Sequence, residues 1–524
     1  LITIRRRAAG DQGGSVISRI LALALSAAAV SAVGAAGLVH VAHATARPSA
    51  LKVASPKPYD FNGDGYTDLA FGSPYGKVSG HSSAGFVTIV PGSATGPATS
   101  KKKIFSQNTA GVPGSAEAGD HFGMALTSLD VDRDGYADLI VGAPDEDTGA
   151  GADAGGEWIL WGSPSGLIGT GSVSRNEGTS GDEGPGAGHR YGASMAEGDV
   201  DGDGSIEWVT TAPGAAFWWY TTNAPADALK AATARSFPSG SHGRPLRHKV
   251  AGKMVAAAAT PSLSFFPAIA DVNGDQAGDI VVGWLDSSIT DPAQRSGFDV
   301  YPSSPDGSVP VKSVYTPLTS LASGDFNGDG ASDVAVGYSG ETGGKGGHVT
   351  VYMGDSTLSM TTSNTITQST AGVPGTAVSG DRFGYSVVAG DLNADGKADL
   401  VAGVPYKTVS SKTLAGEAIA LYGGAGGLTG TGAQAFSQST AGVAGAAETN
   451  DSLGWTVSLV DVNRDGYGDL IAGAPKENGT DGAVSVLKGT ATHVTATGSW
   501  SFGAGTLGVS GLDAQLGVRT ARLG

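Results

Sequence analysis

The chain has 524 residues, no cysteine, 85 glycines and a net charge of −17, although only 15% of its residues are charged. Without cysteine there are no disulfides, so a fold of this size is held by packing or by bound ions. The acidic balance argues against a nucleic-acid partner, whose phosphates it would repel.

Residues 1–44 read as a secretory signal peptide. Arg5, Arg6 and Arg7 form a basic start, Ile20–Val41 is an apolar run, and Ala42-His43-Ala44 is an A-x-A cleavage site. A retained membrane anchor is the alternative, but no second hydrophobic segment of spanning length follows. After a short linker, 45–58, the reading assigns 59–524 to one repetitive domain that stays outside the cell. With four arginines and one aspartate removed, that mature chain carries −20.

The first repeated element is DFNGDGYTD, with Asp60, Asn62, Asp64 and Asp68 at positions 1, 3, 5 and 9 and Gly65 at position 6. Like charges this close repel unless a cation lies among them. Hard oxygen donors on a short loop suit calcium, which accepts six to eight oxygens, with the carbonyl of Tyr66 at position 7 as a further donor. A solvated acidic turn explains one such loop equally well.

Six more copies follow. The second has Asp130, Asp132, Asp134, Tyr136 and Asp138; the third has Asp199, Asp201, Asp203, Ser205 and Glu207. The fourth has Asp271, Asn273, Asp275 and Asp279; the fifth has Asp325, Asn327, Asp329, Ala331 and Asp333. The sixth has Asp391, Asn393, Asp395, Lys397 and Asp399; the seventh has Asp461, Asn463, Asp465, Tyr467 and Asp469. Carboxylates at positions 1, 5 and 9 recur in all seven, a spacing that simple turns would not hold. The expectation is about six or seven structural Ca²⁺ ions. The fourth loop has Gln276 where the others have glycine, so it is the weakest candidate.

The loops begin at intervals of 54 to 72 residues. Each lies between two strand-like runs, such as FGMALTSLD (122–130) and DLIVGAP (138–144). A third strand follows, as in GEWILWGS (156–163), and then a polar segment such as FSQNTAGVPGSAEAGD (105–120). About four strands per repeat, seven times over, predicts an all-β fold: a seven-bladed β-propeller, with a linear solenoid as the alternative. The first repeat starts at its acidic loop and lacks a first strand, whereas AQLGVRTARLG (514–524) looks like a spare first strand. That swap makes sense in a closed ring.

Phe122-Gly123 and Gly142-Ala143-Pro144, flanking D-x-D-x-D-G-x-x-D, resemble the FG-GAP repeat that builds the propeller of integrin α-subunits. The resemblance covers 59–524 and implies calcium between the first two strands of a blade. Blade 1 departs with Gly72-Ser73-Pro74 and blade 3 with Tyr191-Gly192 and Thr211-Ala212-Pro213. Blade 4 reads Gly283-Trp284-Leu285 and blade 5 Gly337-Tyr338-Ser339. FG-GAP blades also accompany a phospholipase acting on lipid-anchored proteins.

No H-E-x-x-H, G-x-S-x-G or P-loop pattern is present, and no catalytic residue is assigned. His121 and His189 each precede a first strand, which favours a structural or surface role. Phe217-Trp218-Trp219-Tyr220 reads as a strand before it reads as a sugar platform. The basic stretch 223–262, with Lys230, Arg235, Arg244, Arg247, His248, Lys249 and Lys253, reads as a solvated insertion before a binding patch. The functional expectation is a secreted, monomeric, calcium-binding adhesion or recognition module for an unknown protein or glycan ligand. An extracellular enzyme or enzyme accessory, phospholipase-like or carbohydrate-binding, is the alternative.

Overall fold

The computed structural model describes residues 57–520, apart from 177–185, 201, 203, 215, 221–243, 247–248, 251–252, 255–262, 288, 292–293, 304–310, 341–342 and 344. The expected signal segment, nearly all of the linker and most of 223–262 lie outside the described residues. Among the described residues, no helix is long and apolar enough to cross a membrane.

The described chain is an all-β propeller with four-stranded antiparallel blades. A representative blade pairs Ser320–Gly324, Asp333–Tyr338, His348–Met353 and Thr361–Ile366 in chain order. Sheets of the same order are formed from 125–175, 263–315, 387–436 and 456–503. A further sheet contains Met195–Gly198, Glu207–Ala212, Ala216–Tyr220 and Arg244–Leu246; the side chains of its last two strands are not described. Its third strand is the aromatic run, with Trp218 opposite Thr210 and Tyr220 opposite Trp208, as the strand reading expects.

Second strands read as short continuous apolar runs because both faces of a blade are covered by its neighbours. Asp138–Ala143 and Asp469–Ala474 are buried along their whole length. Leu139 and Val141 join Phe61, Phe122 and Leu160 in one core cluster. The alternate residue, Ile140, packs with Ile159, Trp161 and Trp208 toward the next blade. One strand therefore serves two interblade cores, as the period-2 alternation of side chains allows.

The two glycine motifs meet at these interfaces. A β-carbon on Gly142 would lie 2.0 Å from the carbonyl oxygen of Gly192, a backbone atom of the next blade. Gly192 itself has φ +88°, which a side chain rarely adopts. Gly72 meets Gly123 and Gly403 meets Gly454 in the same way. The motifs thus record the backbone-to-backbone approach of successive blades.

The polar segments after the third strand also cross to a neighbour. Gln107 Nε2 donates to Glu146 at 2.7 Å, Gln368 to Glu417 at 2.7 Å, and Gln438 to Glu477 at 2.7 Å. The first strands lie side by side around a central cavity of about 670 Å³. At the C-terminal end, Arg519 pairs with Gly72 and Thr520 with Phe71, which gives the first sheet its fourth strand.

Candidate metal centre

Each acidic loop leads into the second strand of a blade, from the second repeat on joining it to the first strand, and its hydrogen bonds repeat from blade to blade. The position-1 carboxylate accepts two or three backbone N–H groups, always including those of positions 5 and 6 where all are described. For Asp60 these come from Asp64 at 3.1 Å and Gly65 at 2.8 Å; for Asp461, from Asp465 and Gly466, each at 3.0 Å. The position-5 carboxylate accepts the N–H of position 7, as Asp134 does from Tyr136 at 3.1 Å and Asp395 from Lys397 at 3.0 Å. These bonds hold the position-1 and position-5 carboxylates against the loop's own backbone.

The fourth loop folds like the others despite its missing glycine. Gln276 adopts φ 71°, and its N–H donates to Asp271 Oδ2 at 2.7 Å. The cost of the side chain is therefore conformational, about 1 kcal/mol or more, and the loop geometry is retained. In the third loop Asp201 and Asp203 lie outside the described residues. There Asp199 accepts from Gly204 at 2.9 Å and Glu207 from Val200 at 2.9 Å.

Position 9 has a structural duty that the spacing did not reveal. One oxygen of Asp138 accepts the N–H of Val131 at 2.8 Å, and the other accepts that of Gly162, beyond the third strand, at 2.8 Å. Asp68 does the same with Phe61 and Gly92, Asp333 with Phe326 and Gly354, and Asp469 with Val462 and Gly489. In the fourth blade the second donor to Asp279 is Ser303. This carboxylate clamps the loop to the end of a strand about twenty residues downstream.

The electrostatics favour a cation. Burial, reinforced by the carboxylates at positions 1 and 5, pushes Asp68, Asp399 and Asp469 up to about 7, against the lowering effect of their backbone donors. Asp279 and Asp333 are pushed up to about 6 for the same reason. Asp138, fully buried and close to Asp132, stands well above the usual carboxylate range. Asn273, Asn327 and Asn463 each turn an amide N–H onto the position-5 carboxylate, which softens the repulsion.

The second loop passes a geometric test of metal fit. Asp130, Asp132 and Asp138 each place one carboxylate oxygen within 4.8 Å of the others. Oxygens around one calcium at 2.3–2.6 Å stand no more than about 5 Å apart. Asp134 is not part of this trio. In the other described loops position 3 is asparagine or undescribed, and no trio of acids closes to this spacing among the described residues.

Other sequence candidates resolve differently. His121 Nδ1 lies 2.7 Å from Asp145, and its ring meets the ring of Tyr75 at 5.3 Å. Sequence reasoning missed a cluster of cations and aromatic rings at the other end of the first strands, formed by Arg382, Tyr385, Tyr406, Trp455 and Lys476. Its members come from two repeats, and only blade packing brings them together.

Comparison with known proteins agrees with this architecture. The model of the FG-GAP repeat matches residues 58–90, 122–156, 318–352, 383–421 and 453–487. The chain is an FG-GAP repeat protein. The unmatched third and fourth repeats carry Thr211-Ala212-Pro213 and Gly283-Trp284-Leu285.

Integrin alpha-PS5 of Drosophila melanogaster is 33% identical over 158 residues, covering 30% of this chain and 14% of the integrin. Integrin alpha-7 of Homo sapiens is 32% identical over 128 residues, covering 24% and 10%. Phosphatidylinositol-glycan-specific phospholipase D of Bos taurus is 31% identical over 178 residues, covering 33% and 20%. The chain thus spans a small part of the length of these relatives. A luciferin-regenerating enzyme superposes with a TM-score of 0.32 at 11% identity, over 68% of this chain and 91% of that one. That likeness is too remote to inform fold or activity.

Proposed function

We propose that the FG-GAP protein is a secreted, calcium-pinned recognition module: a seven-bladed ring, residues 59–524, that presents a rigid surface to a macromolecular ligand outside the cell. The trio Asp130, Asp132 and Asp138 carries the calcium reading, since three carboxylate oxygens within 4.8 Å repel one another and a shared cation would offset that repulsion. The other loops repeat its hydrogen bonds, which supports about six or seven ions. Affinities fall in the range of roughly 10⁻⁴–10⁻³ M expected of extracellular modules. A bound ion here is structural: it draws the loop's oxygens inward and so stabilises the hairpin that carries them.

Ring closure rests on the pairing of Arg519 and Thr520 with the first sheet. Adhesion follows from the similarity to integrin α-chains, though the matched segments are only 10–14% of those proteins. A leader over 1–44, action as a monomer, and a binding rather than catalytic role complete the reading. Native mass spectrometry in calcium tests the metal part: six or seven retained ions support it, and saturation at one or two overturns it. A glycan array and an extracellular pull-down in calcium test recognition; no specific ligand in either would overturn it.

A further inference from the structure

Where both motifs stand, as in the second and sixth repeats, the first strand runs from the F-G motif to the acidic loop, so the two ends of the central cavity differ in chemistry. Gly384 and Asp391 are seven residues apart, about 23 Å along a strand. The acidic loops stand at one end. At the other, the cavity is lined by Arg190, Arg382 and Arg519, together with Tyr385 and Trp455.

These cations are held in place, and most of them are not neutralised. The Arg382 guanidinium lies 4.6 Å above the ring of Tyr406, and the Lys476 ammonium lies 5.1 Å from the ring of Trp455. Tyr385 joins these rings, 4.9 Å from Trp455 and stacked with Tyr406 at 6.5 Å. Among the described residues, the Arg519 guanidinium hydrogen-bonds the Met124 sulfur at 3.4 Å and its neighbour's carbonyl, that of Val518, at 3.2 Å. Arg382, Arg519 and Lys476 have no carboxylate partner among the described residues; Arg190 pairs with Asp145 at 2.8 Å.

Nearby acids are engaged elsewhere: Glu477 accepts from Gln438 at 2.7 Å, and Asp513 pairs with Lys77 at 3.8 Å. Asp120 accepts the N–H of Glu117, Asp381 that of Val378, and Asp451 that of Glu448; all three are buried within their own loops. Asp381 is also paired with Lys407 at 2.8 Å. In a chain of net charge −17, a cavity mouth with uncompensated guanidinium groups focuses positive potential on a small area.

We infer that this mouth binds an acidic oligosaccharide, with sugar carboxylates on Arg382 and Arg519 and pyranose faces against Tyr385 and Trp455. Guanidinium forks match carboxylates in bidentate geometry, and the seating of Arg382 on the Tyr406 ring lowers the ordering cost of binding. Half-exposed ring faces, with the polar residues Ser194, Thr319 and Ser339 elsewhere in the cavity lining, suit a polyhydroxylated ring better than an apolar side chain. This inference rests on the recognition reading and gives it a ligand class and a place. It makes no use of the acidic loops.

The test uses the full chain in calcium, with tetragalacturonate as the probe and its methyl ester as the neutral control, by calorimetry and tryptophan fluorescence. Tetragalacturonate binds, the ester binds at least tenfold more weakly, and added salt weakens the acid alone. Arg382→Gln and Arg519→Gln each weaken binding at least tenfold, while Lys101→Gln on the outer surface leaves it unchanged. Thermal melting shows that each variant is folded, and Trp455→Phe provides a milder second change at the same place, with a several-fold loss.

Failure of tetragalacturonate to bind at millimolar concentration overturns the inference, as does equal binding of the ester or indifference to both arginine changes. Tighter binding of hexaglutamate would assign the mouth to acidic peptide instead and would also overturn it. A protein that binds no tetragalacturonate but captures another ligand on the array keeps the recognition reading and loses only this site.

Discussion

The carbonyl oxygen of Gly517 lies 2.1 Å from the place that a β-carbon on Gly473 would occupy. This contact joins the C-terminal segment to the last blade in the way that Gly142 and Gly192 join two earlier blades. Any side chain at Gly473 must push backbone away from backbone. Gly473→Ala is therefore expected to cost about 1–3 kcal/mol through overpacking, or more if the interface opens. Gly508→Ala is the comparison: its φ is +70°, but nothing lies within 4 Å, so it carries conformational strain alone. Urea unfolding of the two variants should rank Gly473→Ala as clearly the worse.

The position-9 and position-5 carboxylates should separate by their response to calcium. Asp469 holds the backbone N–H groups of Val462 and Gly489 in a buried setting. Asp469→Ala leaves both unpaired, at about 1–3 kcal/mol each, with or without metal. Asp465 accepts from Tyr467 and Asn463 in an exposed loop, where water can replace it. Asp465→Ala should thus be mild in chelator and costly in excess calcium, where the wild type gains from the ion. Melting of both variants in the two conditions decides the matter. Equal losses in chelator would contradict the division of roles.

Glu146 predicts a pH dependence independent of the acidic loops. Burial pushes its carboxyl up to about 7, against the hydrogen bond from Gln107, with Asp120, Glu117 and Asp147 adding to the rise. Its folded-state pKa therefore exceeds the unfolded value of about 4.3, so the folded protein holds this proton more tightly. The resulting stabilisation is full below pH 4.3 and is lost as pH rises through about 7. Glu146→Gln keeps an acceptor for Gln107 without the charge. Its urea midpoint should exceed the wild-type value at pH 8 and lose that advantage toward pH 5.

A chain ending at Asp513 should be unstable. It lacks the strand that pairs with Phe71 and Gly72, and it loses Leu516, which is buried in a cluster with Phe71, Phe86 and Phe502. The exposed edge and the lost core together approach a typical net stability of 5–15 kcal/mol. Insoluble expression, or a melting temperature lowered by more than about ten degrees, is expected. A soluble chain that melts within a few degrees of the full protein would contradict ring closure and favour a frayed terminal segment.

The sequence by itself determined the repeat, the four strands of a blade and the acidic loop between the first two. Each is written in local spacing: Asp130 to Asp138 within nine residues, and apolar runs bounded by glycine and proline on either side. It also marked Arg519 and its neighbours as a spare strand, because a motif can be recognised wherever it stands. Local spacing does not say what lies across an interface. That Asp138 reaches Gly162, that Gly142 faces the backbone of Gly192, and that Arg382 and Lys476 settle on the same aromatic cluster were decided by the tertiary structure. These partners are 24 to 94 residues apart in the chain, and only strand pairing within a blade, for the first, and the stacking of one blade against the next, for the others, bring their backbones and side chains within a few ångströms.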